Sequence, residues 1–180
     1  MSIPSVIKNQ KGITLIEILL YLSISSIVLL SVSVFVTSIL KSRVKNESIV
    51  LVNEEASQII SQLQTEISQA DQINSPVKGT SASSLEFQIA GDPIETISLQ
   101  TNTVVYTITG NSGIALNSSN TNITSLNFTR MNATNDNESI KVEFTMERNN
   151  PNNLNEYDFS KTFYTTVNLP KETGEPETYI

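Results

Sequence analysis

A predominantly apolar run, broken only by Ser, Thr and Glu17, extends from Ile13 to Leu40, and Glu17 is its only charged side chain. As an α-helix this run would be about 42 Å long at ~1.5 Å per residue, against a hydrocarbon core of roughly 30 Å, so a membrane-spanning helix is predicted. Past Leu40 the pattern becomes one-sided. Ile49, Val52, Ala56, Ile59, Leu63, Ile67 and Ala70 recur at spacings of three and four, Ile60 widens the stripe, and Asn53, Glu54, Ser57, Gln58, Ser61, Gln64 and Ser68 lie opposite. The helix is therefore expected to continue over 41–73 as an amphipathic stalk, stopped by Asn74-Ser75-Pro76.

From Ser84 onward the period switches to two and β-branched and aromatic residues replace helix formers. Leu85, Phe87 and Ile89 alternate with polar residues, and Ile97 and Leu99 precede a turn at Gln100-Thr101-Asn102-Thr103 that leads to Val104, Tyr106 and Ile108. This predicts a hairpin. Leu126 and Phe128, then Ile140, Val142, Phe144 and Met146 across a turn at Asn132 to Glu138, then Phe163, Val167 and Leu169 continue the pattern. Residues 74–169 are expected to form a β-rich domain whose apolar face packs on the stalk, and 170–180 a flexible tail. The fold class is α+β.

A carboxylate inside an apolar helix is costly unless it reaches the interface or finds a partner, which makes Glu17 the first candidate functional residue. The run is too long for a secretory signal core, and it ends in Lys41-Ser42-Arg43 rather than a small-residue cleavage site. Basic residues flank it on both sides, with Lys8 and Lys11 before and Lys41, Arg43 and Lys45 after, so charge gives no orientation.

The segment Lys11-Gly12-Ile13-Thr14-Leu15-Ile16-Glu17 ahead of this helix resembles the class III leader of type IV pilins and pseudopilins, a short basic leader ending in Gly before Thr-Leu-Ile-Glu and a long apolar helix. Most members carry Phe where this chain has Ile13. The resemblance covers Lys8 to Leu40, and Ile59 to Ala70 looks like the second half of the long helix in minor pilins. It implies a pilin-like fold, cleavage of the 1–12 leader after Gly12 by a prepilin peptidase, N-methylation of Ile13, and Glu17 as the acid of assembly. It further implies other pilin or pseudopilin subunits and an inner-membrane assembly platform as partners. The precursor would be a single-pass inner-membrane protein with a cytoplasmic N-terminus and an extracytoplasmic C-terminal domain, later drawn into a filament.

The charges have their own logic. Cleavage at Gly12 creates an ammonium at Ile13, one helical turn from Glu17. When such helices pack with an axial stagger, the carboxylate of one can meet the amine of another, an attraction that is strong only where water is excluded. A carboxylate merely reaching the interface of a plain anchor is the competing reading.

Composition narrows the chemistry. The chain has no Cys and no His, which excludes disulfides, thiolate sites, Ser-His-Asp catalysis and His-metal chemistry. No catalytic residue, metal or cofactor is expected. A net charge of −7 does not suit a phosphate-binding surface, so nucleic acid is not an expected partner. The run Asn132 to Glu138 offers oxygen ligands but lacks the spacing and Gly of a defined calcium loop. Asn-X-Ser/Thr triplets at Asn46, Asn117, Asn122, Asn127, Asn132 and Asn137 follow from a Ser/Thr/Asn-rich composition. Asp92, Glu95, Glu143 and Glu147 read as carboxylates on solvated strand faces. Major pilins commonly carry a Gly mid-helix and a Pro further on, at places held here by Ser26 and Val34, and many close the outer domain with a disulfide. A minor, initiating or tip-proximal subunit of a type IV pilus, competence pilus or pseudopilus is therefore expected. The alternative is a membrane-anchored adhesin with a β-rich recognition domain.

Overall fold

The computed structural model describes residues 12–89, 91–131 and 138–170. They fall into two units that divide between Arg43 and Val44. A single helix, α1 (Leu15–Ile67), belongs to both, its apolar half to the first unit and its amphipathic half to the second.

In the first unit Thr14 caps the helix, its hydroxyl accepting the Glu17 amide at 3.4 Å. Thr-Leu-Ile-Glu has the spelling of a capping box, and Glu17 in the first turn also suits the positive end of the helix dipole. Every residue from Ile13 to Leu40 is exposed in the isolated chain. This segment is long and apolar enough to cross a membrane. Five of its hydroxyls are accommodated without water: Ser23, Ser26, Ser31, Ser33 and Thr37 each donate to the carbonyl four residues back, at 2.8 to 2.9 Å. That back-bonding lets a polar side chain sit in hydrocarbon.

In the second unit α1 packs against two antiparallel sheets. Five strands form one sheet: β1 (Gln72–Ser75), β3 (Ser84–Gln88), β4 (Glu95–Gln100), β5 (Thr103–Ile108) and β6 (Ile114–Ala115), in the order β1-β3-β4-β5-β6. The other holds β2 (Ser81–Ala82), β7 (Thr121–Met131), β8 (Ser139–Arg148) and β9 (Ser160–Asn168), in the order β2-β7-β8-β9. The stalk stripe supplies Val52, Ala56, Ile59, Leu63 and Ile67 to a core completed by Leu85, Phe87, Ile97, Val104, Phe128, Ile140, Val142, Phe144 and Met146. Phe144 and Phe163 stack across β8 and β9 with ring centroids 5.5 Å apart.

The predicted hairpin is present. Gln100 pairs with Thr103 across a two-residue turn, Thr101 and Asn102, both at positive φ (45° and 65°). Two such residues give the backbone twist that matches a strand pair, and Asn tolerates it well. In β7 the apolar spacing is three between Ile123 and Leu126 and two between Leu126 and Phe128. A register shift between Ile123 and Ser125 absorbs the extra residue, so all three side chains are buried.

The stalk is shorter than its expected span of 41–73. The helix ends at Ile67, and Gln72 to Ser75 form strand β1 paired with β3. Ser68, Gln69, Asp71 and Gln72 extend no apolar stripe, the Ser68 and Gln69 side chains turn back onto the Thr65 carbonyl at 3.0 Å, and Ile73 is better buried in a strand opposite Phe87. The Asn132 turn, apart from Glu138, and residues 171–180 lie outside the described residues, as does the leader before Gly12.

Candidate functional site at the head of the helix

Gly12 and Ile13 precede the cap, exposed and outside the helix. A Cβ added at Gly12 would meet nothing within 4 Å, so packing imposes no need for glycine there. Ile13 is 68% exposed and Glu17 is exposed one turn further on. The structure brings Glu17 together with a residue that the sequence reading passed over: Tyr21 Oη donates to Glu17 Oε1 at 3.3 Å. The signal was available, because residues four apart on a helix are neighbours. Among the described residues Glu17 meets no cation. What the cluster offers is a carboxylate with one phenolic donor, capacity for further donors, and apolar surface on every side.

Several acids of the second unit make contacts within the fold. Glu95 is 4% exposed and accepts the Tyr106 hydroxyl at 2.7 Å, so it is not on a solvated face as expected. It faces inward from β4, where a hydrogen bond compensates part of its desolvation. Burial, then the hydrogen bond and charge of Glu95, then the charges of Glu66 and Asp92, push the Tyr106 phenol well above its ordinary value. Burial and the Glu95 carboxylate likewise raise Glu66. Glu143 pairs with Lys141 at 3.5 Å on the outer face of β8. At Glu138 burial pushes the carboxyl up, but Lys78 and Arg130 more than offset it and hold it below the usual carboxylate range. Arg130 binds Glu138 at 2.6 Å and donates to the Ile73 carbonyl at 2.9 Å, which ties β7 to β1.

Two further features were missed by sequence reasoning. Glu55 accepts from the Thr121 hydroxyl at 2.5 Å and from the Ser118 amide and hydroxyl. Asn117 is nearly buried, takes the Val104 amide on its carbonyl oxygen and gives its amide to the Asn102 and Thr121 carbonyls. An Asn-X-Ser triplet committed in this way is a structural clasp. The open cavity of about 480 Å³ beside β8 is lined mainly by asparagines, among them Asn122, Asn149 and Asn150, together with Glu147, Arg148 and Asp158. At the helix head a carboxylate on an exposed apolar helix has, among the described residues, a single side-chain donor from its own fold.

Residues 7–39 match the family described as the prokaryotic N-terminal methylation motif. The match spans the end of the leader and the apolar half of α1 and does not reach the β-sheets. No curated protein and no solved structure matches the chain. Such a leader implies processing by a prepilin peptidase, membrane anchoring and assembly with other pilin subunits, which points to a structural role. With its capped helix head, exposed apolar helix and antiparallel sheets, the chain carries the type IV prepilin leader on an α+β architecture consistent with a pilin-like protein.

Proposed function

We propose that this chain is a minor pilin-like subunit that is built into, or initiates, a type IV pilus or a related pseudopilus. Cleavage after Gly12 frees Ile13 for N-methylation, and Glu17 then pairs with the terminal amine of a neighbouring subunit inside the filament core. The observation that carries the reading is the exposed apolar stretch from Ile13 to Leu40, whose one carboxylate lies a turn from the new terminus. An apolar surface of this extent needs lipid or other helices to cover it. Lipid covers it before assembly and neighbouring helices afterwards, so transfer between the two depends on packing and on the Glu17 charge pair rather than on hydrophobic burial. Ser26 and Val34, at places where major pilins commonly carry Gly and Pro, together with the absence of Cys, support a minor subunit.

Co-expression with a prepilin peptidase, followed by intact-mass and N-terminal analysis of the membrane fraction, tests the processing. A methylated Ile13 terminus is expected. An intact Met1 would overturn the reading and leave an anchored β domain, the adhesin alternative. Glu17→Ala separates the two classes further: assembly lost with insertion retained supports a filament subunit, and unchanged behaviour supports an anchor.

A further inference from the structure

We infer that Tyr21 is a positioning residue for Glu17: its phenol holds the carboxylate along the helix, in the orientation from which it meets the charge of a partner subunit. This rests on the reading of Glu17 as the acid of assembly. Two donors compete for that carboxylate. In a complete capping box the acid at Glu17 would reach back to the backbone N–H of Thr14. Only half of the box is made here, since the Glu17 amide reaches the Thr14 hydroxyl while Glu17 Oε1 turns the other way and takes the Tyr21 hydroxyl at 3.3 Å.

The pairing solves two problems at once. Once lipid or neighbouring helices cover the exposed apolar side chains that flank it, such as Ile16, Ile18 and Leu20, the carboxylate is poorly solvated and a phenol nearby has few other acceptors for its proton. Smaller hydroxyls of this span such as Ser23 and Ser26 escape the difficulty by bonding the carbonyl four residues back. The Tyr21 hydroxyl, carried at the far end of a ring, goes instead to the side chain four residues before it. One phenolic donor leaves most of the carboxylate's acceptor capacity open, so Tyr21 orients Glu17 without neutralising it.

The competing account makes Tyr21 an aromatic anchor at the membrane interface, acting through its ring. Two measurements on the full chain separate them. In phospholipid vesicles, Tyr21→Phe is expected to shift an infrared carboxylate band, and the shift should vanish when Glu17→Gln is already present. In cells that assemble the filament, Tyr21→Phe should lower the share of inserted chain found in sheared filaments about tenfold, the scale of one hydrogen bond to a charged group, with insertion and cleavage unchanged. An unchanged band, or a shift that persists in the Glu17→Gln background, would overturn the inference. So would normal incorporation of Tyr21→Phe alongside a defective Glu17→Ala, or rescue by Tyr21→Trp without recovery of the band. Normal incorporation of Glu17→Ala would instead remove the reading of Glu17 on which the inference stands.

Discussion

The Glu55 carboxylate of α1 accepts the hydroxyl of Thr121, at the head of β7, across 2.5 Å. The same carboxylate takes the Ser118 amide and hydroxyl, so a single helical side chain organises the turn that leads into β7. Hydrogen bonds to a charged acceptor contribute about 1.5–3 kcal/mol, and a half-buried site keeps much of that. Glu55→Ala should cost the domain about 1–3 kcal/mol by urea unfolding in detergent micelles. Thr121→Val should cost less, because Ser118 would still hold the carboxylate. Equal stability of Glu55→Ala and the parent chain would show that the loop is fixed by Asn117 alone.

This clasp was not legible in the sequence, and the reason is physical. The stalk stripe Val52, Ala56, Ile59, Leu63 and Ile67 could be read from spacing because burial acts on every turn, and the Thr101-Asn102 turn from the chemistry of its residues. Glu55 meets partners more than 60 residues away, and no local period encodes that meeting. The two-residue strands β2 and β6 escaped for a related reason, being too short to show alternation and held by their neighbours β7 and β5. Glu95 resembled any other strand carboxylate until the Tyr106 hydroxyl was found beside it. At the helix head the reverse holds: Gly12, Ile13, Thr14 and Glu17 were all visible, and Tyr21 needed only the four-residue rule.

Acid should loosen the junction of β1 with β7. Glu138 has its folded pKa lowered from 4.5, so the stabilisation it gives is complete above the unfolded value and is lost as pH falls through the folded one. Glu66 acts with the opposite sign: its pKa is raised from 4.5, so the fold loses stability as pH rises from 4.5 through the raised value. Urea midpoints of Glu138→Gln should therefore lie below those of the parent chain at neutral pH and converge with them in acid. Glu66→Gln should lie above the parent at neutral pH and converge with it below about 4.5. Arg130 matters more than Lys78 here, since the Lys78 side chain is 59% exposed and solvent screens its pair. Parallel pH curves for Glu138→Gln and the parent would rule out this assignment.

The same substitution should have opposite consequences in the two halves of α1. Leu63 is fully buried in the core, and Leu63→Ala should destabilise the β domain by about 2–5 kcal/mol through lost transfer energy and a residual cavity. Leu22 is 59% exposed in the isolated chain, so Leu22→Ala should leave the domain's unfolding midpoint unchanged. Its effect belongs to membrane retention and to filament strength, measured by extraction with detergent and by shear. A matching loss of domain stability at Leu22 would mean that the apolar half folds onto the sheets.

The sign of the charge at position 17 should govern recruitment more than its presence does. Glu17→Gln keeps the size of the side chain and a carbonyl acceptor for Tyr21 but removes the proposed attraction for an incoming ammonium. Glu17→Lys keeps a charge that the apolar surround penalises in the same way and turns the attraction into repulsion. Both should insert into the membrane, because one charge near the end of so long a span can reach the interface. Recruitment into filaments should then fall in the order Glu17, Gln, Lys, with the step from Gln to Lys the signature of electrostatics. It can be measured as the ratio of filament to membrane chain in cells expressing each variant at the same level. If Gln and Lys are recruited equally, the role of Glu17 is shape or capping of α1, and the pairing with the Ile13 amine must be abandoned.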